Sequence, residues 1–464
     1  MAGVLPLEPS SDEMREIGEA ALGYYVEFLR GQADAPAAGE GGKLEAARTV
    51  REPPPETGQE FKPLLDTVRL AAAKSYGTTG PGYLAFVPGG GLFAATIGDM
   101  LAAGINRFVN LWSTAPVAVQ LEDNVVRWLC GLFAYPDGSR GILTSGGSMA
   151  NLSAIVTART ARLPEDFLSG TLYVSDQVHA SVIKAARIAG FPAHAVRVVP
   201  TTHAMRMDVD RLATIVRDDR AGGRSPFLVV ASAGTTNTGA IDPLAEIADV
   251  AAAEGLWMHA DAAYGGFFQL TERGRERFAG IERADSITLD PHKGLFLPYG
   301  TGSLIVRDGR ALRDAHFQAA AYLQDTSVED ELPNYSEYSP ELSRDFRGLR
   351  VWFPLKLHGV GAFRSALDEK LDLARVLYEG LRSIAAVEVP WEPELTVVSF
   401  RLRDGDDEAN RRLLETINAS GRVFLSSTIV DGRFTLRACI VSHRTHRDRI
   451  EECIQIVRRA VATG

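Results

Sequence analysis

Four short stretches of this chain carry residue types that together fit one chemistry. In Asp285-Ser-Ile-Thr-Leu-Asp-Pro-His-Lys-Gly-Leu295, apolar Ile287 and Leu289 alternate with polar residues as in a strand, and Asp290-Pro291 then favours a turn. His292 and Lys293 are therefore expected at a strand end, where open α/β sheets place ligands. A lysine held there and partly desolvated is expected to have a lowered pKa and to attack a carbonyl, forming a Schiff base. The plainer alternative is a surface lysine after a turn.

The other three stretches argue against the plainer alternative. Gly141-Ile-Leu-Thr-Ser-Gly-Gly-Ser148 runs from an apolar strand into small residues and then into a helical pattern from Met149 to Arg162. Gly147 and Ser148 thus open a helix whose unpaired N–H groups and positive dipole end suit a phosphate. His179, after Tyr173-Val-Ser-Asp-Gln-Val178, offers a flat ring. Asp261 follows the apolar strand Trp257 to Ala260, where a carboxylate is costly unless paired, and small Ala263 stands beside it. Each residue alone has an ordinary structural explanation: a core histidine, a helix cap, a loop. Pyridoxal 5′-phosphate needs all four kinds of group. It has a phosphate, a flat pyridine ring, a ring nitrogen that must stay protonated beside a carboxylate, and an aldehyde for the lysine.

The elements that must position these groups are legible as an alternation. Strands are expected at Leu172–Ser175, Phe227–Ala231, Trp257–Ala260 and Gly302–Val306, with helices at Ala180–Ala189 and Pro243–Glu254 between them. Such β-α alternation implies an α/β fold with a mostly parallel sheet and helices on both faces. Upstream, Ser10-Ser-Asp-Glu13 caps a helix to Arg30, Gly31 to Gly42 reads as a flexible link, and Pro53-Pro-Pro55 is extended. Ala118 to Leu132 is helical, with Trp128 and Leu129 expected in the core. After a helical stretch at Trp352–Leu357, a long helix from Ala362 to Arg382 leads into short strands (Leu395–Leu402, Thr435–Ile440) and a last helix, a smaller C-terminal α+β domain. The expected division is an N-terminal segment 1–75 packed on a partner subunit, a large cofactor-binding domain 76–350, and a small domain 351–464.

Composition narrows the class. With 464 residues, 45% hydrophobic and 23% charged, the chain is expected to be a soluble protein with a large core. A net charge of −10 argues against nucleic acid as partner. No apolar run is long enough for a membrane span, and the start lacks the pattern of a secretion signal. Cys130, Cys439 and Cys453 are far apart, give no metal spacing and suit a reducing cytoplasm.

The combined motifs resemble those of the group II pyridoxal-phosphate decarboxylases, which include aromatic-L-amino-acid and glutamate decarboxylases. The matching text is Thr144-Ser-Gly-Gly-Ser148, Ser175-Asp-Gln-Val-His179, Gly234-Thr-Thr236, His259-Ala-Asp-Ala-Ala-Tyr264, Asp285-Ser286, Asp290-Pro-His-Lys293 and Arg344-Asp-Phe-Arg-Gly-Leu-Arg-Val-Trp352. The resemblance covers roughly residues 76 to 450. It implies the aminotransferase-like fold (fold type I) and a homodimer with active sites at the subunit interface. It implies Lys293 as the cofactor lysine, Asp261 on the pyridine nitrogen and His179 stacked on the ring. Gly147, Ser148 and His292 would hold the phosphate side, with Thr236 and Asp290 near the cofactor. The family's mobile loop carries a tyrosine that protonates the product carbon. Tyr335, eleven residues before Phe346 in the polar and acidic stretch 325–341, is expected in that role, with Tyr338 as its rival.

There are departures. Ser148-Met149-Ala150 stands where the family often has Ser-Glu-Ala, and Gly89-Gly90-Gly91 replaces bulkier residues near the expected substrate pocket. Phe86, Phe93, Phe108 and Tyr299 fit an apolar pocket for an aromatic amino acid. Asn110 and Arg107 keep acidic or other polar substrates open. Arg437 lies where a transaminase would bind a substrate carboxylate. The main expectation is decarboxylation of an aromatic L-amino acid to amine and carbon dioxide. Oxidative deamination to an aldehyde, transamination and a catalytically silent scaffold are the rivals, and the presence of Tyr335 and His179 ranks the first of these below decarboxylation.

Overall fold

Apolar β-branched runs alternating with amphipathic helices build the sheet that the sequence pattern requires. The computed structural model describes residues 7–318 and 332–463, so the first part of the expected loop, residues 325–331, lies outside the described residues. Seven strands form the large sheet: β1 (Arg140–Thr144), β2 (Gly170–Ser175), β3 (Val196–Val199), β4 (Ser225–Ser232), β5 (Trp257–Asp261), β6 (Ser286–Leu289) and β7 (Gly302–Val306). Their order is β1-β7-β6-β5-β4-β2-β3, and β7 alone runs against its neighbours β1 and β6. Strands β2, β4, β5 and β6 are parallel and buried along most of their length, as near-continuous Val/Ile/Leu/Ala runs require. Their carboxyl ends therefore share one edge of the sheet.

A second sheet is antiparallel, in the order β10-β11-β9-β8, from β8 (Val387–Glu388), β9 (Val397–Leu402), β10 (Ser426–Val430) and β11 (Arg433–Cys439). It has its own core, including Leu377, Val398, Phe400, Leu436 and Val457. The two sheets are joined by the helical run Arg347–Arg382, broken at Gly359, whose φ of 74° leaves helical geometry. This is one interrupted run where the sequence pattern showed two helical stretches.

At the amino end, Ser10 and Glu13 form the reciprocal capping box their spacing predicts, ahead of the helix Ser11–Gly31. Two further helices, Lys43–Thr49 and Phe61–Ala73, follow, and none of the three contains a buried residue. Leu129 and all three cysteines are buried, whereas Trp128 is exposed. Helical spacing placed both Trp128 and Leu129 in the core. Adjacent helical positions diverge by about 100°, and only Leu129 turns inward.

Candidate active site

Strand ends deliver the polar groups to one cleft of about 270 Å³. Strand β1 ends at Thr144, and the turn Ser145–Gly146 leads into the helix Gly147–Arg162, so Gly147 and Ser148 present the helix start to the cleft. Strand β5 ends at Asp261 and delivers its carboxylate, with Ala263 beside it. Strand β6 ends at Leu289, and Asp290 is the N-cap of a short turn of helix Pro291–Gly294 that carries His292 and Lys293. Asp290, His292, Lys293, His179 and Thr236 all line the same cleft.

The lysine turn is tethered from two sides. His292 Nδ1 donates to the Thr301 carbonyl at 2.6 Å, and Arg350 Nη1 donates to Thr301 Oγ1 at 2.9 Å. Lys293 Nζ lies 2.9 Å from Asp290 Oδ2. Burial penalises the Lys293 ammonium, but the Asp290 charge and hydrogen bond, with Asp261 behind them, hold it above the usual lysine range. That corrects the expectation of a lowered pKa: desolvation is the largest single influence, and two carboxylates outweigh it. Burial pushes His292 down, with Asp290 opposing.

Asp261 is buried, its Oδ1 accepting from the Ala263 N–H at 3.2 Å and its Oδ2 from Asn151 Nδ2 at 3.0 Å. Its hydrogen-bond donors are an amide side chain and a backbone N–H. Asn151 in turn reaches Ser181, which contacts His179 Nδ1 at 2.7 Å. Sequence reasoning missed Asn151 and Ser181. The available signal was an asparagine amid the small and apolar residues that open the Gly147–Arg162 helix.

The cleft fits pyridoxal phosphate on observations of its own. An amine, a carboxylate and a helix start line one cavity. Asp290 Oδ1 is buried without a hydrogen-bond partner among the described residues. A Cβ at Gly147 would come within 3.0 Å of Asp290 Oδ2 and 3.2 Å of Ala263, so the cleft wall admits only the smallest side chain without adjustment. The pyridoxal-dependent decarboxylase conserved domain matches residues 48–403.

The chain belongs to the pyridoxal-dependent decarboxylase family. This decarboxylase is 36% identical over 466 residues to an aromatic-L-amino-acid decarboxylase of Bacillus atrophaeus, covering 98% of this chain and 96% of that one. It is 30% identical to tyrosine decarboxylase 2 of Arabidopsis thaliana, covering 99% and 89%. Its fold superposes on the crystal structure of Oryza sativa TDC with PLP and tryptamine with a TM-score of 0.93 at 27% identity, covering 99% of each. It is a pyridoxal-phosphate-dependent carboxy-lyase of fold type I, and its substrate is an amino acid. Among its described residues no helix is long and apolar enough to cross a membrane.

Other expected site residues of the decarboxylase fall elsewhere. Tyr335 does not line the cleft. It is 1% exposed, packs in the core beside β1 and β2, and stacks over the Arg344 guanidinium at 4.4 Å. Arg344 is itself paired with buried Glu122 at 2.6 Å. The spacing to Phe346 located the tyrosine along the chain, and in this single chain its ring is buried away from the cleft. Tyr338 packs against the same core. Asn110 is fully buried and its Nδ2 donates to the carbonyls of Glu341 and Leu342, tying that segment down. Phe86, Phe93, Phe108, Tyr299 and Arg107 are exposed, and Arg437 is buried on β11; none of them lines the cleft of this single chain. Gly89–Gly91 packs its backbone against Tyr299, Phe296 and His443, where side chains would collide.

Proposed function

We propose that this decarboxylase converts an aromatic L-amino acid to its amine and carbon dioxide, in a site that a second copy of the chain completes. The observation that carries the reading is the convergence of Lys293, Asp261 and His179 on one cleft at the start of the Gly147–Arg162 helix. Bound pyridoxal phosphate supplies an electron sink for the pair released when the Cα–carboxylate bond breaks. Lys293 is the amine that anchors the cofactor aldehyde. Asp261 holds the proton on the pyridine nitrogen, which a nearby anion favours. Gly147 and Ser148 offer backbone and hydroxyl donors to the phosphate, with His292 on the same side. His179 supplies the flat face for the ring, Ala263 leaves room opposite, and Thr236 and Asp290 flank them.

The aromatic substrate is supported by the apolar side chains of Phe86, Phe108 and Tyr299, exposed on the single chain. Phe86 has a φ of 54°, and its N–H is held by Ser426 Oγ at 3.1 Å. A non-glycine residue kept there stores backbone strain of the kind found at functional sites. Ser426 Oγ also accepts from Arg437 Nη1 at 3.0 Å, while Arg437 Nε and Nη2 lack partners among the described residues.

The homodimer is supported by the three amino-terminal helices, which carry apolar residues such as Leu22, Leu64 and Val68 on the surface. A monomer leaves such faces wet at a cost. Three free buried cysteines fit a reducing cytoplasm. Two separate sheets, the first ending at Val306 and the second starting at Val387, support a large and a small domain with the boundary between those residues. The test is carbon dioxide release from the enzyme loaded with pyridoxal phosphate, across the proteinogenic amino acids. Release from aromatic amino acids is expected. Release from acidic ones alone would overturn the substrate class, and release from none would overturn the reading.

A further inference from the structure

We propose that Asn151 is a positioning residue that fixes both the carboxylate of Asp261 and the ring tautomer of His179, through a buried hydrogen-bond chain of set direction. The inference deepens the reading above and rests on it. Its starting point is Trp257, whose indole N–H can only donate. Trp257 Nε1 donates to Ser286 Oγ at 2.8 Å. The Ser286 hydroxyl proton is thereby free for His259 Nδ1, 2.8 Å away. A neutral His259 then carries its proton on Nε2, which donates to Asn151 Oδ1 at 3.1 Å. The Thr288 hydroxyl donates to the same oxygen at 2.8 Å.

Two donors on Oδ1 decide which way the amide faces. In the flipped orientation, Nδ2 would meet those donors and Oδ1 would meet a carboxylate. In the observed one, the two Nδ2 protons have two acceptors, Asp261 Oδ2 and Ser181 Oγ, each at 3.0 Å. Ser181, having accepted, turns its own proton to His179 Nδ1 at 2.7 Å. The backbone N–H of Ser181 donates to the same nitrogen at 3.3 Å. That longer contact favours the same tautomer, with Nδ1 unprotonated and the proton on Nε2, but more weakly, so the Ser181 hydroxyl carries most of the preference.

Asn151, His259, Ser286 and Thr288 are each 1% exposed or less, so this part of the chain is shielded from water. Burial pushes His259 down to about 4, against the pull of Asp261 and of a hydrogen bond to the Ser286 backbone, which keeps the ring neutral. The chain branches at one amide and ends on the two groups that flank the cofactor ring in the proposed site. Histidine tautomers set by a second partner are a recurring way to orient a functional ring.

The test is 15N NMR of histidine-labelled full-length apoprotein, with the His179 signal assigned as the one lost in His179→Gln. The wild type should show a single neutral tautomer protonated at Nε2. Ser181→Ala, which cuts only the His179 branch, and Asn151→Leu, which cuts both, should admit the Nδ1-protonated form. In the loaded enzyme, Asn151→Leu should lower kcat by roughly 10- to 100-fold, the usual cost of removing an outer partner of a site ligand. KM for the substrate should change much less. A wild-type His179 protonated at Nδ1, or a tautomer unmoved in Ser181→Ala, would overturn the proposal. Ser181→Ala keeps the test decisive where Asn151→Leu fails to fold. A wild-type enzyme that releases no carbon dioxide would sink the functional reading instead, and the apoprotein tautomer would still decide this one.

Discussion

Lys293 Nζ sits 2.9 Å from Asp290 Oδ2, three residues back on the same turn. The acid that caps the turn therefore also sets the charge of the amine. Replacing it by Asp290→Asn removes the charge that raises the lysine and leaves the burial penalty in control. The Lys293 pKa is expected to fall. The pH at which pyridoxal phosphate loads onto the apoprotein, followed by visible absorbance, should move down. A midpoint that stays or moves up would contradict this pairing.

Tyr335 tests whether burial or spacing is the better guide. Its hydroxyl has no hydrogen-bond partner among the described residues, so Tyr335→Phe removes a buried polar atom without creating a cavity. Stability should hold or rise slightly. Carbon dioxide release should fall far less than the roughly 10²- to 10⁴-fold lost with a catalytic proton donor. Tyr335→Ala should instead cost about 3–5 kcal/mol of stability by denaturant unfolding. A large loss of carbon dioxide release in Tyr335→Phe would instead return the tyrosine to the chemistry. Assaying hydrogen peroxide and ammonia beside carbon dioxide separates decarboxylation from aldehyde formation.

What was legible follows from periodicity. Lys293, Asp261 and His179 all follow apolar strand-like runs, and parallel β-α units place strand ends on one edge. Asn151 and Ser181 were not legible, because their roles arise from tertiary hydrogen bonds that no spacing encodes. Strand β3 was missed as a short edge strand, with Val198 exposed and Arg197 half-buried, so it lacks a buried strand's pattern. The two backbone carbonyls that Asn110 holds were not legible for a related reason: a polar residue near a pocket looks the same in sequence whether it faces a ligand or the main chain.

Gly302 on β7 supports the phosphate-side turn from below. A Cβ there would lie 2.6 Å from Gly146 Cα and 2.7 Å from Thr144 Oγ1. Gly302→Ala should therefore displace the turn that leads into the Gly147–Arg162 helix. The expected cost is about 1–3 kcal/mol of stability, with weaker pyridoxal phosphate binding in an absorbance titration. Unchanged cofactor affinity would detach that turn from the site.

His259 and His443 bear on acid stability. Burial lowers both, to about 4 for His259 and about 3 for His443, where Arg444 adds its charge. In the unfolded chain each takes a proton near pH 6.5. Their folded values are depressed, so the stability they contribute is present above about pH 6.5 and is lost as pH falls toward 4 and then 3. Denaturant unfolding of the apoprotein at pH 7 and pH 4.5 should show the loss. His443→Leu should reduce it by about 2 kcal/mol. An equal loss in wild type and variant would contradict the assignment.

The most direct measurement is borohydride reduction of the loaded enzyme, followed by peptide mass mapping of the phosphopyridoxyl group. The adduct should lie on Lys293 and vanish in Lys293→Ala. An adduct on another lysine, such as buried Lys370, or none at all, would contradict the account.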